Sequence, residues 1–397
     1  MHHPLRRVAP LLAFLLALAA PASWGQGRMA PPAAGYEGGG AAVSPEVMED
    51  YRRRLAVWKE ARAQFEQASG FYWEQIAERR RNRNAKRRAR QVIGLEDYVL
   101  EQPPVYAGPR RPVNPEPRLE PETETRPKKT IPVIADFLKA ALELYQFTPQ
   151  GPASEAEFKR AYLGYALAAG LTREQAVRVY AFETGGNGNY DLQSGVRKGS
   201  PAVSTALGYN QLLTTNSVEL LAEQGPEFIR ELTVRASRLS GPARRMMEFK
   251  LSVLKRMVAE ARAVPDTWSE HEKIANTARG WAMHAMVLDM DVGPMLQTHK
   301  LLTSVRFARA RGYLAPLTGA ELEMMNLTGD GTGLDMVAMP QALREQVPTA
   351  NFFQRGGYER NPVAIRNNTV AKLLAVTDAR MDSNSNNPGA RDLAAAN

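Results

Sequence analysis

The residue best placed for acid–base chemistry is Glu183. It lies in LTREQAVRVYAFETGGNGN (Leu171 to Asn189), close to the end of a helical stretch and just ahead of a Gly-rich loop. At about 100° per residue, Ala176, Val179, Tyr180 and Glu183 fall on one face of that helix and Arg178 on the opposite one. A carboxyl on the core-facing side is costly to ionise, so its pKa should rise, as a general acid working near neutral pH requires. The same position also suits a last-turn residue that reaches solvent or pairs with an arginine.

Asp191 is the nearest second carboxylate in sequence, in the Gly-rich loop beyond Gly188. Facing Glu183 across a water it would favour hydrolysis; otherwise it is a turn or cap residue. Asn210 and Gln211 are amides just ahead of a helix, suited to holding a polar ligand or to bracing the loop, and Tyr190 and Tyr209 could stack on a ligand or close the core. Other chemistries find less support. The chain has no cysteine, which removes disulfides, thiolate zinc sites and cysteine nucleophiles together. His284, Asp289 and Asp291 cluster in sequence but face different sides, and no HExxH pair occurs, so no metal or other cofactor is expected. Asn326 to Thr332 (NLTGDGT) begins like a calcium loop, yet its twelfth position is Val337 rather than glutamate.

The elements that must hold these residues are mostly helical. Thr172 and Gln175 form a capping box for the Glu183 helix, and Gly185 and Gly186 stop it. Helical periodicity also marks Ala135–Tyr145, Glu155–Ala169, Ser217–Glu223, Pro242–Ala263, Glu270–Leu288, Pro294–Ala310 and Ala320–Met325. Asn216 is read as the cap of the Ser217 helix, and Pro242 as a first-turn proline. Only short extended pieces are expected, around Gly188 to Val203.

Residues 1–25 read as a signal peptide, with Arg6 and Arg7 before an apolar stretch, and 26–44 as a flexible Gly/Ala/Pro linker. Residues 45–101 form a helical arm ending in the basic run ERRRNRNAKRRAR (Glu78 to Arg90). Residues 102–132 form a Pro-rich linker, extended or pinned along a surface by Tyr98, Val105 and Tyr106. A mostly helical domain spans 133–381, and 382–397 (DSNSNNPGARDLAAAN) reads as a disordered tail. The protein is therefore expected to be exported, periplasmic or extracellular, and soluble or attached peripherally to the cell wall. The formal net charge of +9 suits anionic polymers, with residues 78–90 as a solvated helix end or a contact to an anionic wall or membrane surface. Nucleic acid is a poor match to an exported chain.

The succession after Glu183 resembles the soluble-type catalytic domain of lytic transglycosylases, within the lysozyme-like superfamily. That family pattern runs Glu-Ser-Gly at a helix end, a loop serine, Gly-Ala-x-Gly-Leu-Met-Gln, then a proline and Thr-Ala. Here it reads Glu183-Thr184-Gly185, Ser204, Ala206-x-Gly208-x-x-Gln211, with Asn216-Ser217 opening the following helix. Tyr209-Asn210 stand where the family has Leu-Met, and Thr214 where it has proline. Asn326 is the counterpart of the asparagine in a later Ala-Tyr-Asn-Ala-Gly motif, and Tyr358 of a closing tyrosine. The resemblance implies a mostly α, lysozyme-like catalytic domain, preceded by the long helical arm and the Pro-rich linker. It implies cleavage of peptidoglycan glycan strands between N-acetylmuramic acid and N-acetylglucosamine without cofactor. Glu183 would be the single catalytic acid and base. Ser204, Gly208, Tyr209, Asn210, Gln211, Tyr190, Asn326 and Tyr358 would lie along the substrate. A hydrolysing muramidase of the goose-type lysozyme kind and a non-catalytic peptidoglycan-binding scaffold are the alternatives.

Overall fold

Capping chemistry and apolar spacing divide the chain into sixteen α-helices among the residues described by the computed structural model, which are 43–116, 130–196 and 202–396. In chain order these begin with α1 (Pro45–Arg88), α2 (Ile134–Tyr145), α3 (Glu155–Ala169), α4 (Arg173–Thr184), α5 (Thr214–Ser237) and α6 (Gly241–Ala261). Next come α7 (Trp268–Ala275), α8 (Ala278–His284), α9 (Gly293–Ala310), α10 (Gly319–Thr328) and α11 (Asp330–Val337). The last are α12 (Gln341–Arg344), α13 (Arg355–Glu359), α14 (Pro362–Arg366), α15 (Val370–Ser385) and α16 (Pro388–Ala395). No strand forms among the described residues. Two isolated bridges, Gln193 with Leu207 and Leu207 with Leu212, tie the loop between α4 and α5. The expected signal peptide and most of the 26–44 linker lie outside the described residues, as does part of the Pro-rich segment. No helix among the described residues is long and apolar enough to cross a membrane.

The chain divides into two units. The larger holds residues 130–345 and 369–396; the other holds 43–116 and 346–368. The expected 133–381 domain is therefore interrupted, because 346–368 packs with the N-terminal arm rather than with the helices on either side of it in sequence.

Within the larger unit, α5 runs well beyond the expected Ser217–Glu223, straight through Pro226. An interior proline costs a helix about 3 kcal/mol. Here Val218, Leu221, Phe228 and Leu232 are fully buried at helical spacing and outweigh it. Gly225 gives α6 room, since a Cβ there would collide with Val258. Asn216 is not the cap of α5. It sits one turn inside and accepts the Leu213 N–H at 3.0 Å. Pro242 does occupy the first turn of α6. The calcium-like run forms the α10–α11 junction, where the Ser304 hydroxyl donates to Asp330 at 2.5 Å.

The 382–397 segment, expected to be disordered, is helical through residue 395 except for the α15–α16 junction. Its polar amides have helix-end partners: Asn384 donates to Ala181 O at 3.0 Å and Asn387 to Gly185 O at 2.8 Å. An Asn-rich run that reads as solvated thus caps the end of α4.

In the second unit the basic run of α1 is partly structural. Arg83 is 1% exposed and stacks over the Tyr98 ring at 4.4 Å, donating to Asp97 O at 2.9 Å and Asn351 O at 3.2 Å. Arg80 donates to Asn351 O and Phe353 O at 3.1 and 2.8 Å. The side chain of Asn351 in turn pairs with both backbone groups of Val99, at 3.0 and 2.8 Å. The proline-rich strap is pinned by Tyr106, edge-on to Phe65 at 5.5 Å, while Val105 stays exposed.

Candidate active site at the end of α4

The helix carrying Glu183 is built as its sequence dictates. The Thr172 hydroxyl accepts the Gln175 N–H at 3.0 Å and the Gln175 side chain accepts the Thr172 N–H at 3.0 Å. Gly185 and Gly186 end the helix with φ of 68° and 75°, the left-handed region that glycine enters without strain. Ala176, Val179 and Tyr180 are fully buried on the Glu183 face. Arg178, opposite, is held by Glu174 at 3.1 Å, by Asp378 at 2.7 Å and by Asp382.

The Glu183 side chain is 8% exposed. Three groups from other helices meet it. Lys300 of α9 places Nζ 3.5 Å from Oε1. Asn326 of α10 places Nδ2 3.4 Å from the same oxygen and 3.5 Å from the carboxylate of Glu323, one turn earlier on α10. Arg380 of α15 lies over the Phe182 ring, 5.3 Å from its centroid, and its charge is felt at Glu183. Two carboxyls that share one amide cannot both ionise cheaply in a dry site. Burial raises the Glu183 pKa, against the opposing pull of Lys300 and then Arg380. Burial pushes Glu323 well above the ordinary carboxylate range, and the charge of Glu183 adds to that. Glu323 is 2% exposed and its carboxyl, farther from the ammonium, is the better holder of a proton. The site therefore gathers two carboxyls that burial biases toward their neutral forms and two cations.

The other expected residues divide by place. Asn326 meets Glu183 directly. Gly208, Tyr209, Asn210 and Gln211 form the turn beside it, where Lys300 Nζ donates to Asn210 O and, at 3.4 Å, to Gln211 O. This turn is internally committed. Gly208 has φ of 80°, and a Cβ there would collide with the Gln297 amide. Asn210 is fully buried, with its amide donating to Gln297 O at 2.8 Å and Tyr162 Oη at 3.0 Å. Gln211, left-handed at φ of 45°, donates through Nε2 to Gly208 O at 2.7 Å and Leu192 O at 3.1 Å. Bracing, rather than gripping a sugar, is what these amide N–H groups do. Tyr209 is fully buried among Phe158, Tyr162 and Tyr180, its hydroxyl donating to Glu155, so it closes the core. Ser204 is buried and accepts the Ala206 N–H at 3.0 Å. Tyr190 is part-exposed against Phe158. Asp191 is exposed at a turn, and the carboxyl beside Glu183 is instead that of Glu323. Tyr358 belongs to the second unit, buried against Trp73 and Phe353.

Sequence reasoning missed Lys300, Glu323 and Arg380. Lys300 follows the buried Gln297 and precedes the buried Ser304, a polar stripe at helical spacing. Glu323 is three residues from Asn326 and therefore shares its face. Arg380 carries no comparable sequence signal. The histidines are internal: the Ser217 hydroxyl and Thr205 O contact the two nitrogens of His284 at 2.8 Å each, and burial lowers its pKa to about 4. Asp289 and Asp291 enclose the buried Lys250. No group of three or more potential ligands capable of holding a metal occurs among the described residues.

Compared with known proteins, the chain matches no family model, no curated protein and no solved structure.

Proposed function

We propose that this is an exported enzyme that cleaves peptidoglycan glycan strands between N-acetylmuramic acid and N-acetylglucosamine by lytic transglycosylation. The observation that carries the reading is the Glu183 carboxyl, held nearly dry at a helix end and biased toward its protonated form. Its proton passes to the glycosidic oxygen as the bond to C1 of the muramic acid breaks. The carboxylate then takes the proton from the 6-hydroxyl of the same sugar, whose oxygen closes on C1 to give the 1,6-anhydro ring. No water enters and the acid is regenerated. Lys300 stabilises the carboxylate formed midway, and the Asn326 amide holds its orientation. The resemblance around Glu183-Thr184-Gly185 and Gly208 to Gln211 also supports the reading.

Mass spectrometry of products from digested sacculi tests it. Anhydromuropeptides are the expected outcome. Reducing ends alone would instead indicate a hydrolysing muramidase of the goose-type lysozyme kind. One observation favours a non-catalytic scaffold: Asn210, Gln211 and Tyr209 all spend their polar atoms inside the protein. Binding to sacculi without any released fragment would establish that reading.

A further inference from the structure

Arg380 stands out among the cations withdrawn from water. Arg178 has three carboxylates, Lys250 two, Lys300 the Glu183 carboxyl and two carbonyls, and Arg83 two carbonyls. Arg380 is half-buried, with its guanidinium over the ring of Phe182, the residue next to Glu183. Among the described residues it makes no hydrogen bond and no ion pair. A guanidinium presents five donors in a planar fork matched to a carboxylate, and partial burial without a partner is unfavourable. Burial does lower the Arg380 pKa, with the Glu183 charge opposing it. Lys300 and Arg380 bring two positive charges to a site whose two carboxyls burial biases toward their neutral forms, so an additional negative group is welcome there.

We propose that Arg380 is the recognition residue for a carboxylate carried by the glycan, and that the Glu183 site selects acidic over neutral saccharides. This rests on the glycan-cleaving reading and names the feature of the substrate that the site takes. Two sources share that chemistry: the lactyl carboxylate of a peptide-free muramic acid, and a carboxylate of an attached stem peptide. Neutralising Arg380 by such a group would also weaken its pull on the Glu183 proton, so the acidic substrate helps to keep its own acid protonated.

Calorimetric binding of full-length protein to three probes tests this independently of turnover. The probes are a peptide-free oligosaccharide alternating N-acetylglucosamine and N-acetylmuramic acid, the same strand bearing stem peptides, and the neutral N-acetylglucosamine tetramer. Wild type is expected to prefer one acidic probe to the neutral one, and which acidic probe it prefers identifies the source. Arg380→Gln should reduce that preference about 10- to 100-fold, the worth of a charge-assisted pair, with Arg380→Lys retaining part of it. Circular dichroism of both variants establishes that they are folded. Equal affinity of wild type for acidic and neutral probes, or a preference unchanged in folded Arg380→Gln, overturns the proposal. An Arg380-dependent preference without released products would support the carboxylate site and overturn the cleavage reading. Cleavage with no such preference would do the reverse.

Discussion

Glu183 and Glu323 share the amide of Asn326, yet the two acids have different surroundings. Glu183 has Lys300 at 3.5 Å, whereas Glu323 is deeper and held up by burial and by its neighbour's charge. Because Glu323 binds its proton more tightly folded than unfolded, its contribution to stability is complete below the ordinary carboxylate value. It is lost as pH rises through the raised one. Glu323→Gln cannot ionise and so escapes that loss. Its unfolding free energy relative to wild type should rise with pH, by about 1.4 kcal/mol for each tenfold in proton affinity separating folded from unfolded Glu323. Denaturant titrations between pH 4 and pH 9 measure this, and a difference that stays flat would contradict the assignment. His284 works in the opposite direction: its pKa of about 4 means that stability is lost as pH falls from the usual histidine range. At this scale Glu183 was legible from its place on a helix face. Glu323 was legible only through Asn326, whose helix face it shares three residues earlier and Glu321 does not.

Elements were read best where local rules decide them. The α4 capping box, its Gly185–Gly186 stop and the Pro242 start are all set by neighbours in sequence. The reading failed where a distant partner decides: α5 crosses Pro226 because α6 packs against it, and the Asn-rich end of the chain is ordered because α4 offers carbonyls to it. That capping has a measurable consequence. Asn384→Ala with Asn387→Ala should lose about 2 kcal/mol, near 1 kcal/mol for each hydrogen bond. Amide hydrogen exchange should speed up selectively over residues 180–188. Uniform acceleration across the larger unit would mean that these amides do not hold the Glu183 helix end in particular.

On the scale of the whole molecule, a mostly helical protein was legible, but its division was not. Nothing local in residues 346–368 reveals that Asn351 accepts Arg80 and Arg83 from a helix more than 250 residues earlier. The basic run likewise has two populations that composition cannot separate. Arg83 is internal, whereas Arg79, Arg81, Arg88 and Arg90 are exposed. Arg83→Met should cost about 2 kcal/mol by leaving the Asp97 carbonyl without its charged donor, while Asn351 O keeps Arg80. Changing the four exposed arginines to glutamine should leave stability within about 0.5 kcal/mol and weaken salt-sensitive retention on anionic wall polymer. Retention that is unchanged would remove the wall or membrane contact from the 78–90 segment.

The most direct test of the central claim is digestion of purified sacculi by wild type and by Glu183→Gln, with released fragments and bound protein measured together. Glutamine keeps the size of the side chain and one oxygen for Asn326 but carries no transferable proton. Fragment release should fall by about 10²- to 10⁴-fold, the usual worth of a general acid, while binding to sacculi is retained. Equal release by the two proteins, or none from wild type, would contradict the account.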